Sequence, residues 1–358
     1  MKLLTANYII DGVPMGITPA AMLGECTISP PSLESGPVAS IVDEQKDPSP
    51  ETYRFLDAQI PAYERALKDF SPAFPLPFAQ SATIAAAASA LIDLIWQGGH
   101  FHLEDLCLKP QWRWDDAQVG HPSAFFNSVE AACAYADALG IRFSTYRLVR
   151  GEPSLQFKAL LSPDAGLAQD GDLTPCVFRR RKCPAVIQPK KDDWLVYIPF
   201  DPCDYRLGGS ALVQALGESA SVAPDLGDAA YMKDCYEVVR ELVEDGIVKA
   251  GITVGEGGLL QALRSFCQEG TGAEISLTDV CKAYGESLQT RILFASVPGV
   301  IIQIADLDFD YVDAELLLQD VAYFPIGHPS ASEGVNISDK GGIPSILESL
   351  LTTLEGED

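Results

Sequence analysis

Ala250 to Leu263 reads AGITVGEGGLLQAL: a run of β-forming residues, a cluster of glycines, then apolar residues at helical spacing. A loop of this kind can hold a phosphate on backbone N–H groups at a helix start. No Lys-Ser/Thr follows the glycines, so it is not a nucleotide P-loop, and Gly255 to Leu260 lacks the last glycine of a dinucleotide fingerprint. Three readings stay open: a phosphate loop, a bare turn, or a site that has lost its chemistry. A second stretch of this type is RLGGS, Arg206 to Ser210. There Gly208 and Gly209 permit close backbone approach and Ser210 is placed to cap the next helix, a structural duty. The functional counterpart is a phosphate held by that helix start.

Other polar groups could do chemistry but are read as structural. GHPSA occurs at 120–124 and at 327–331, placing His121 and His328 in what we read as ordinary turns. His100 and His102 alternate as on one strand face beside Glu104 and Asp105, but no second ligand cluster completes a metal site, so no metal is expected. Arg179, Arg180, Arg181 and Lys182, with Lys190 and Lys191, read as a solvated loop; holding a phosphate or an acidic surface is the alternative. Nine cysteines without a C-x-x-C pair fit buried reduced thiols.

The elements that must position these groups follow from periodicity and punctuation. Residues 27–52 read as a connector rich in Pro, Ser and acid. Tyr53, Leu56, Ile60, Tyr63, Leu67 and Phe70 recur at helical spacing with Pro61 as a kink or a break between two short helices. Further helices are expected within 82–97, over 129–139 closed by Gly140, from Met232 to Gly246 and over 312–319. Strands are expected at 143–149 and 194–199, and RILFAS with VIIQIA around Pro298-Gly299 reads as a hairpin. Past residue 331 we expect a tail with one helix bearing Ile346, Leu347, Leu350, Leu351 and Leu354, docked on the body or on a partner. The resulting division is an extension and linker over 1–80, an α/β unit over 81–199, a second over 200–332, and a tail over 333–358.

Net charge is −25, from 25 Lys and Arg against 50 Asp and Glu, which opposes nucleic acid and anionic membranes as partners. The start lacks the unbroken apolar core of a signal peptide, and Ala82 to Trp96 is short of a bilayer span and contains Asp93, so a cytoplasmic protein is expected.

Taken in order, RLGGSALVQALG (206–217), PDLGD (224–228), GEGGLLQAL (255–263), GAEISL (272–277), LFAS and GVIIQI (293–304) and IG (326–327) resemble the C-terminal domain of the aminoimidazole ribonucleotide synthetase (AIRS) superfamily. Within it the likeness is to the second half of phosphoribosylformylglycinamidine synthase. LCLKPQWRW (106–114), ALGI (138–141) and RGEPSLQF (150–157) follow the matching N-terminal domain, so the resemblance spans roughly residues 90–330. It implies a two-domain α/β fold and an ATP-dependent amide-to-amidine ligase of purine biosynthesis, with ATP or ADP and Mg as cofactor. It also implies a partner: a second copy, or a catalytic AIRS-family half with an ammonia-supplying glutaminase subunit. The positions it offers for nucleotide or phosphate are Gly151, Ser154, Arg206, Gly208, Gly209, Ser210, Gly257 and Gly258, and it carries over no catalytic residue.

The departures concern chemistry. Where the family has His-Asp-x-Ser-Asp-Gly-Gly, this chain has Ile252, Thr253, Val254, Gly255 and Glu256 before Gly257 and Gly258. The family's Gly-Lys-Asp-Ser is Gly151-Glu152-Pro153-Ser154, replacing a phosphate-binding cation and a metal-binding carboxylate. Gln111 stands for an Asn, and Ser296 and Val297 for a pair of Glu. The expectation is a ligase component that does not catalyse alone, the alternative a noncatalytic AIRS-fold scaffold.

Overall fold

The computed structural model describes residues 2–24, the backbone of 38–40, and residues 55–162, 180–218, 222–268 and 270–338. After a 3-10 turn at Asp57–Gln59, helix α1 runs over Ile60–Leu67. Pro61 sits in its first turn, where the missing N–H costs nothing, so it opens one helix rather than kinking a longer one. The alanine-rich helix α2, Ala79–Ile95, follows a proline-containing 3-10 turn. Together Leu76–Ile95 are long and apolar enough to cross a membrane by length and composition, more than the sequence reading allowed. Here the helix is a core element: Leu91, Ile92, Ile95 and the following Trp96 are fully buried.

The first sheet is built on strand β1, Leu106–Arg113, after which comes helix α3, His121–Leu139, closed by left-handed Gly140. The expected strand over 143–149 is two short ones, β2 (Arg142–Phe143) and β3 (Arg147–Val149), both parallel to β1. β4, Ser154–Leu161, pairs antiparallel on the other side, Leu106 opposite Leu161 and Arg113 opposite Ser154. Alternation sends Leu106, Leu108 and Trp112 inward and leaves Lys109, Gln111 and Arg113 exposed.

The second sheet has six strands. They are β5 (Trp194–Pro199), β6 (Val248–Val254), β7 (Gly272–Ser276), β8 (Gly299–Ile304), β9 (Phe324–Ser330) and β10 (Gly334–Ser338), in the spatial order β10-β7-β9-β5-β8-β6. All pairs are antiparallel except β7 with β10. β5, read from sequence as the end of the first unit, is therefore an inner strand of this sheet. Residues 334–338, read as part of the tail, form its edge; the expected tail helix lies outside the described residues. Its helices are α4 (Ala211–Leu216), α5 (Ala229–Glu244), α6 (Gly258–Phe266), α7 (Thr278–Ala283), α8 (Gln289–Phe294) and α9 (Phe309–Leu318). The expected hairpin is thus half wrong: RILF of the first run belongs to α8, and only the second run is a strand.

β5 and β8 are buried on both faces. Val196, Ile198, Val300 and Ile302 join α2 and α5 in one core, while Leu195, Tyr197 and Ile301 join α6 and α8 in another. α2 lies in the first of these with the inward side of the first sheet, and so couples the two sheets. A third core around Trp112, Trp114, Phe125 and Phe126 is closed by Tyr8 and Leu3 from the start of the chain.

Candidate functional site

The two glycine turns named from sequence converge at one cleft. Gly208 and Gly209, which lead into α4, face Ser81, Ala85 and Ser89 of α2, Ser154 and Gln156 of β4, and Glu256 of the turn into α6 across a cavity of about 390 Å³. Among the described residues, Glu256 is the one charged group of that lining, and no Lys, Arg or His belongs to it. Pro72, Ala73, Phe74, Pro75 and Phe78, which precede α2, form another part of the wall. Gln214 of α4 holds this segment by accepting from the Ala73 N–H at 2.9 Å.

Three amides of the glycine turns are used internally. The Gly208 N–H donates to Val222 O at 2.8 Å, the Ser210 N–H to Leu207 O at 3.0 Å, and the Gly258 N–H to Gly255 O at 3.0 Å. A phosphate loop needs such groups free. A Cβ at Gly208 would stand 2.3 Å from Val222 O, so this glycine lets two backbones touch. Ser210 caps α4, its Oγ accepting from the Val213 N–H at 3.4 Å. Of the other sequence candidates, Arg206 is paired with Asp204 at 2.9 Å and Gly151 lies against the Arg113 side chain; neither lines the cleft. Gly257 lines a second, more open cavity of about 880 Å³ next door, with Glu64, Arg65, Lys68, Gln261 and Arg264. Its cations are partly committed: Arg264 pairs with Glu64 at 2.6 Å, and Arg65 donates to Pro61 O at 3.2 Å.

Several polar residues that sequence reading set aside turn out to fasten elements together. The Thr253 hydroxyl donates to Asp93 at 2.6 Å and accepts from Trp96 Nε1 at 2.9 Å, joining β6 to α2; burial pushes the Asp93 carboxyl up despite that bond and the nearby Arg181. Arg181 is not merely solvated. It donates to Gly251 O at 2.8 Å and to Cys183 O at 3.2 Å, with its guanidinium over the Trp96 ring. Arg179 lies outside the described residues.

Asp201, missed in the sequence, accepts from the Gly227, Asp228 and Cys203 N–H groups and so anchors the PDLGD loop; burial pushes its carboxyl up. Asp57 was also missed. It accepts from the Gln289 and Thr290 N–H groups and the Thr290 hydroxyl at the start of α8.

The two GHPSA copies are not turns. His121 opens α3 with Nδ1 2.8 Å from Asp115, while His328 lies on β9 with Nδ1 3.0 Å from Asp193 O. Nor does the His100–His102 run lie on a strand. His102 caps a 3-10 turn at Leu103–Asp105, and its Nδ1 lies 2.8 Å from Glu237.

The Glu237 hydrogen bond raises the His102 pKa, with burial opposing it and the nearby carboxylates adding to it. A histidine whose folded pKa is raised adds stability that is complete below its unfolded value, about pH 6.5, and is lost as pH rises through the folded value. Glu237→Gln should bring the His102 titration down toward the ordinary histidine range, read by NMR of the imidazole; an unmoved midpoint would remove Glu237 as the cause.

Comparison with known proteins agrees with this architecture. Residues 190–312 match the family described as AIR synthase related protein, C-terminal domain. A probable phosphoribosylformylglycinamidine synthase, chloroplastic/mitochondrial, of Arabidopsis thaliana is 26% identical over 262 residues, covering 72% of this chain and 18% of that protein. The phosphoribosylformylglycinamidine synthase of Homo sapiens is 25% identical over 267 residues, covering 71% of this chain and 19% of that protein. The chain thus matches less than a fifth of the length of either relative. Among solved structures, PurLQS from Thermotoga maritima superposes with a TM-score of 0.51 at 12% identity, covering 78% of this chain and 46% of that one, a likeness of fold.

Proposed function

We propose, taking as premise that the chain belongs to the AIR synthase-related superfamily and is PurL-like, that it is a component of an amide-to-amidine ligase of purine biosynthesis that does not turn over nucleotide on its own. In the reaction implied by that kinship, ATP phosphorylates an amide oxygen, ammonia attacks the activated carbon, and phosphate leaves. Each step develops negative charge on phosphoryl oxygens, which cations, metal ions or free amides must hold.

The observation that carries the reading is the lining of the cleft between Gly209 and Gln156. Among the described residues it contains Glu256 and no cation, and the Gly208, Ser210 and Gly258 amides beside it are already bonded. An anionic triphosphate there would meet the Glu256 carboxylate. Pro75 packs on Gly209 as well, a Cβ there standing 3.3 Å from the proline ring. The protein's own chain therefore occupies the approach to that turn. The nucleotide, Mg and catalytic carboxylates would come from a separate AIRS-family half, and ammonia from a glutaminase subunit.

A second reading, a scaffold of the same fold with no part in the ligase, rests on the same eroded lining. The discriminating experiment is a calorimetric titration of the folded chain with Mg-ATP and Mg-ADP, then of its mixture with a catalytic AIRS-family half. No heat from the chain alone, and association with the half, is the expected result. Stoichiometric nucleotide binding by the chain alone would overturn the proposal, and no association would leave the scaffold.

A further inference from the structure

Helix α9, Phe309–Leu318, carries apolar residues on two opposite faces. One is turned to the body: Val312 and Leu316 are buried, and Phe309 packs on Trp194 with ring centroids 5.1 Å apart. The other is bare among the described residues. Tyr311, Ala314 and Leu318 fall at i, i+3 and i+7, and Leu307, in the 3-10 turn Asp306–Asp308, stands one turn ahead of them. Leu307 is 84% exposed, Leu318 77%, and Leu317, beside the row, 63%. A surface helix has one apolar stripe, whereas a helix apolar on opposite sides is a buried one. Single exposed leucines are ordinary, but a row of apolar groups roughly 16 Å long is the mark of a surface that something covers.

The border of the row says what that is. Asp310 borders it on one side and Glu315 on the other, with Asp308, Asp313 and Asp320 close by, and no Lys or Arg occurs between Arg291 and Lys340. The neighbouring helix α5 adds to this field. Glu315 foremost, then some loss of hydration, and then Asp245 and Glu241 of α5 hold the Tyr311 hydroxyl above the ordinary tyrosine range. Lys191 shares a cavity wall with Phe309, on the side of α9 turned toward Trp194. A second copy of the chain would bring the same carboxylates against these, and like charges facing each other are costly. An anionic membrane surface is repelled in the same way. An amphipathic helix whose apolar row is flanked by Lys or Arg satisfies both the row and its border.

We propose that the outer face of α9 docks a basic amphipathic helix of a partner protein. Anchors at i, i+4, i+7 and i+11 of that helix would lie along Leu307, Tyr311, Ala314 and Leu318, and its cations would meet the surrounding carboxylates. No residue of α9 lines the glycine cleft, so the proposal stands whether or not the cleft holds nucleotide.

The probe is a fluorescent synthetic helix with leucines at that spacing and lysines elsewhere, titrated with the full chain and read by anisotropy. A scrambled peptide of the same composition measures attraction to net charge alone. The patterned peptide should bind about tenfold more tightly than the scrambled one, and Leu307→Ser/Leu318→Ser should remove that advantage by deleting the most exposed apolar groups of the row. Both leucines lie on the surface, so this variant should keep the melting temperature of the parent. Asp310→Asn/Glu315→Gln should weaken binding and flatten its dependence on salt. Equal affinity for the two peptides, or equal affinity of parent and leucine variant for the patterned one, would overturn the proposal. A dimer by sedimentation that the leucine variant abolishes would also overturn it, by giving the face to a second copy. So would peptide binding that appears only after deletion of residues 339–358, which would give the face to the chain itself.

Discussion

Gly258→Ala is expected to lower the melting temperature by about 10–15 °C, the consequence of roughly 4–5 kcal/mol lost in a domain of this size. Gly258 has φ of +74°, a left-handed conformation that costs an L-residue about 1–2 kcal/mol. Its Cβ would also stand 2.5 Å from Leu293 O and 2.9 Å from Ala295 O. These are backbone atoms at the end of α8, which cannot swing aside. Gly257→Ala is the control: φ is +88°, but the nearest atom is the Gln261 Cβ at 3.0 Å, so only the backbone strain of about 1–2 kcal/mol applies. Thermal unfolding followed by circular dichroism separates the two. If both substitutions cost the same small amount, the close approach of the turn to Leu293–Ala295 is not what requires a glycine. Because the penalty is steric, it should be unaffected by Mg-ATP.

That contrast shows what could be read before the fold was known. RLGGS announced a turn and a cap, and the Ser210 cap is there, but the reason Gly208 has no side chain is Val222, which only folding brings opposite it. The sequence pattern also held β5 and β8 as apolar runs, but not their place, since β5 was assigned to the first unit and lies inside the second sheet.

Where local pattern failed, a distant partner decided. RILF is as good a strand as a helix by composition, and Asp57, more than 200 positions away, binds the first N–H groups of α8 and makes it a helix. His100 and His102 alternate as on a strand, but the reciprocal bonds between His102 and Asp105 turn the chain instead. Arg181 sits in a run that looks solvated, and its role was invisible because Trp96 and the Gly251 carbonyl come from other elements. In the candidate site, sequence departures suggested lost phosphate chemistry and led to the cleft that Gly208 and Gly209 line. The Pro72–Phe78 wall was unforeseen, for a proline-rich stretch carries no periodic signal of what it packs on.

Arg240→Ala should cost about 3–5 kcal/mol, the usual penalty for breaking a buried charged network from one side. Arg240 is 3% exposed on α5, and its guanidinium does three things at once. It donates to Ile95 O at the end of α2 at 2.9 Å and to Gly99 O in the loop beyond, pairs with Glu244 at 2.6 Å, and lies 4.3 Å from the Phe101 ring centroid. α5 covers the second sheet and α2 joins both sheets, so this side chain pins the junction between them.

Truncation would strand two carbonyls without a donor and expose the Phe101 face, while Glu244, about a third exposed, would partly rehydrate. Arg240→Lys separates charge from geometry. A lysine restores the ion pair but lacks the planar fork that reaches Ile95, Gly99 and Glu244 together, so it should recover only about half of the loss. A lysine variant as stable as the parent would mean that charge alone holds the junction. With Arg240→Ala, calorimetry should also show the single unfolding peak broaden, because the element that transmits cooperativity from one sheet to the other has lost its anchor.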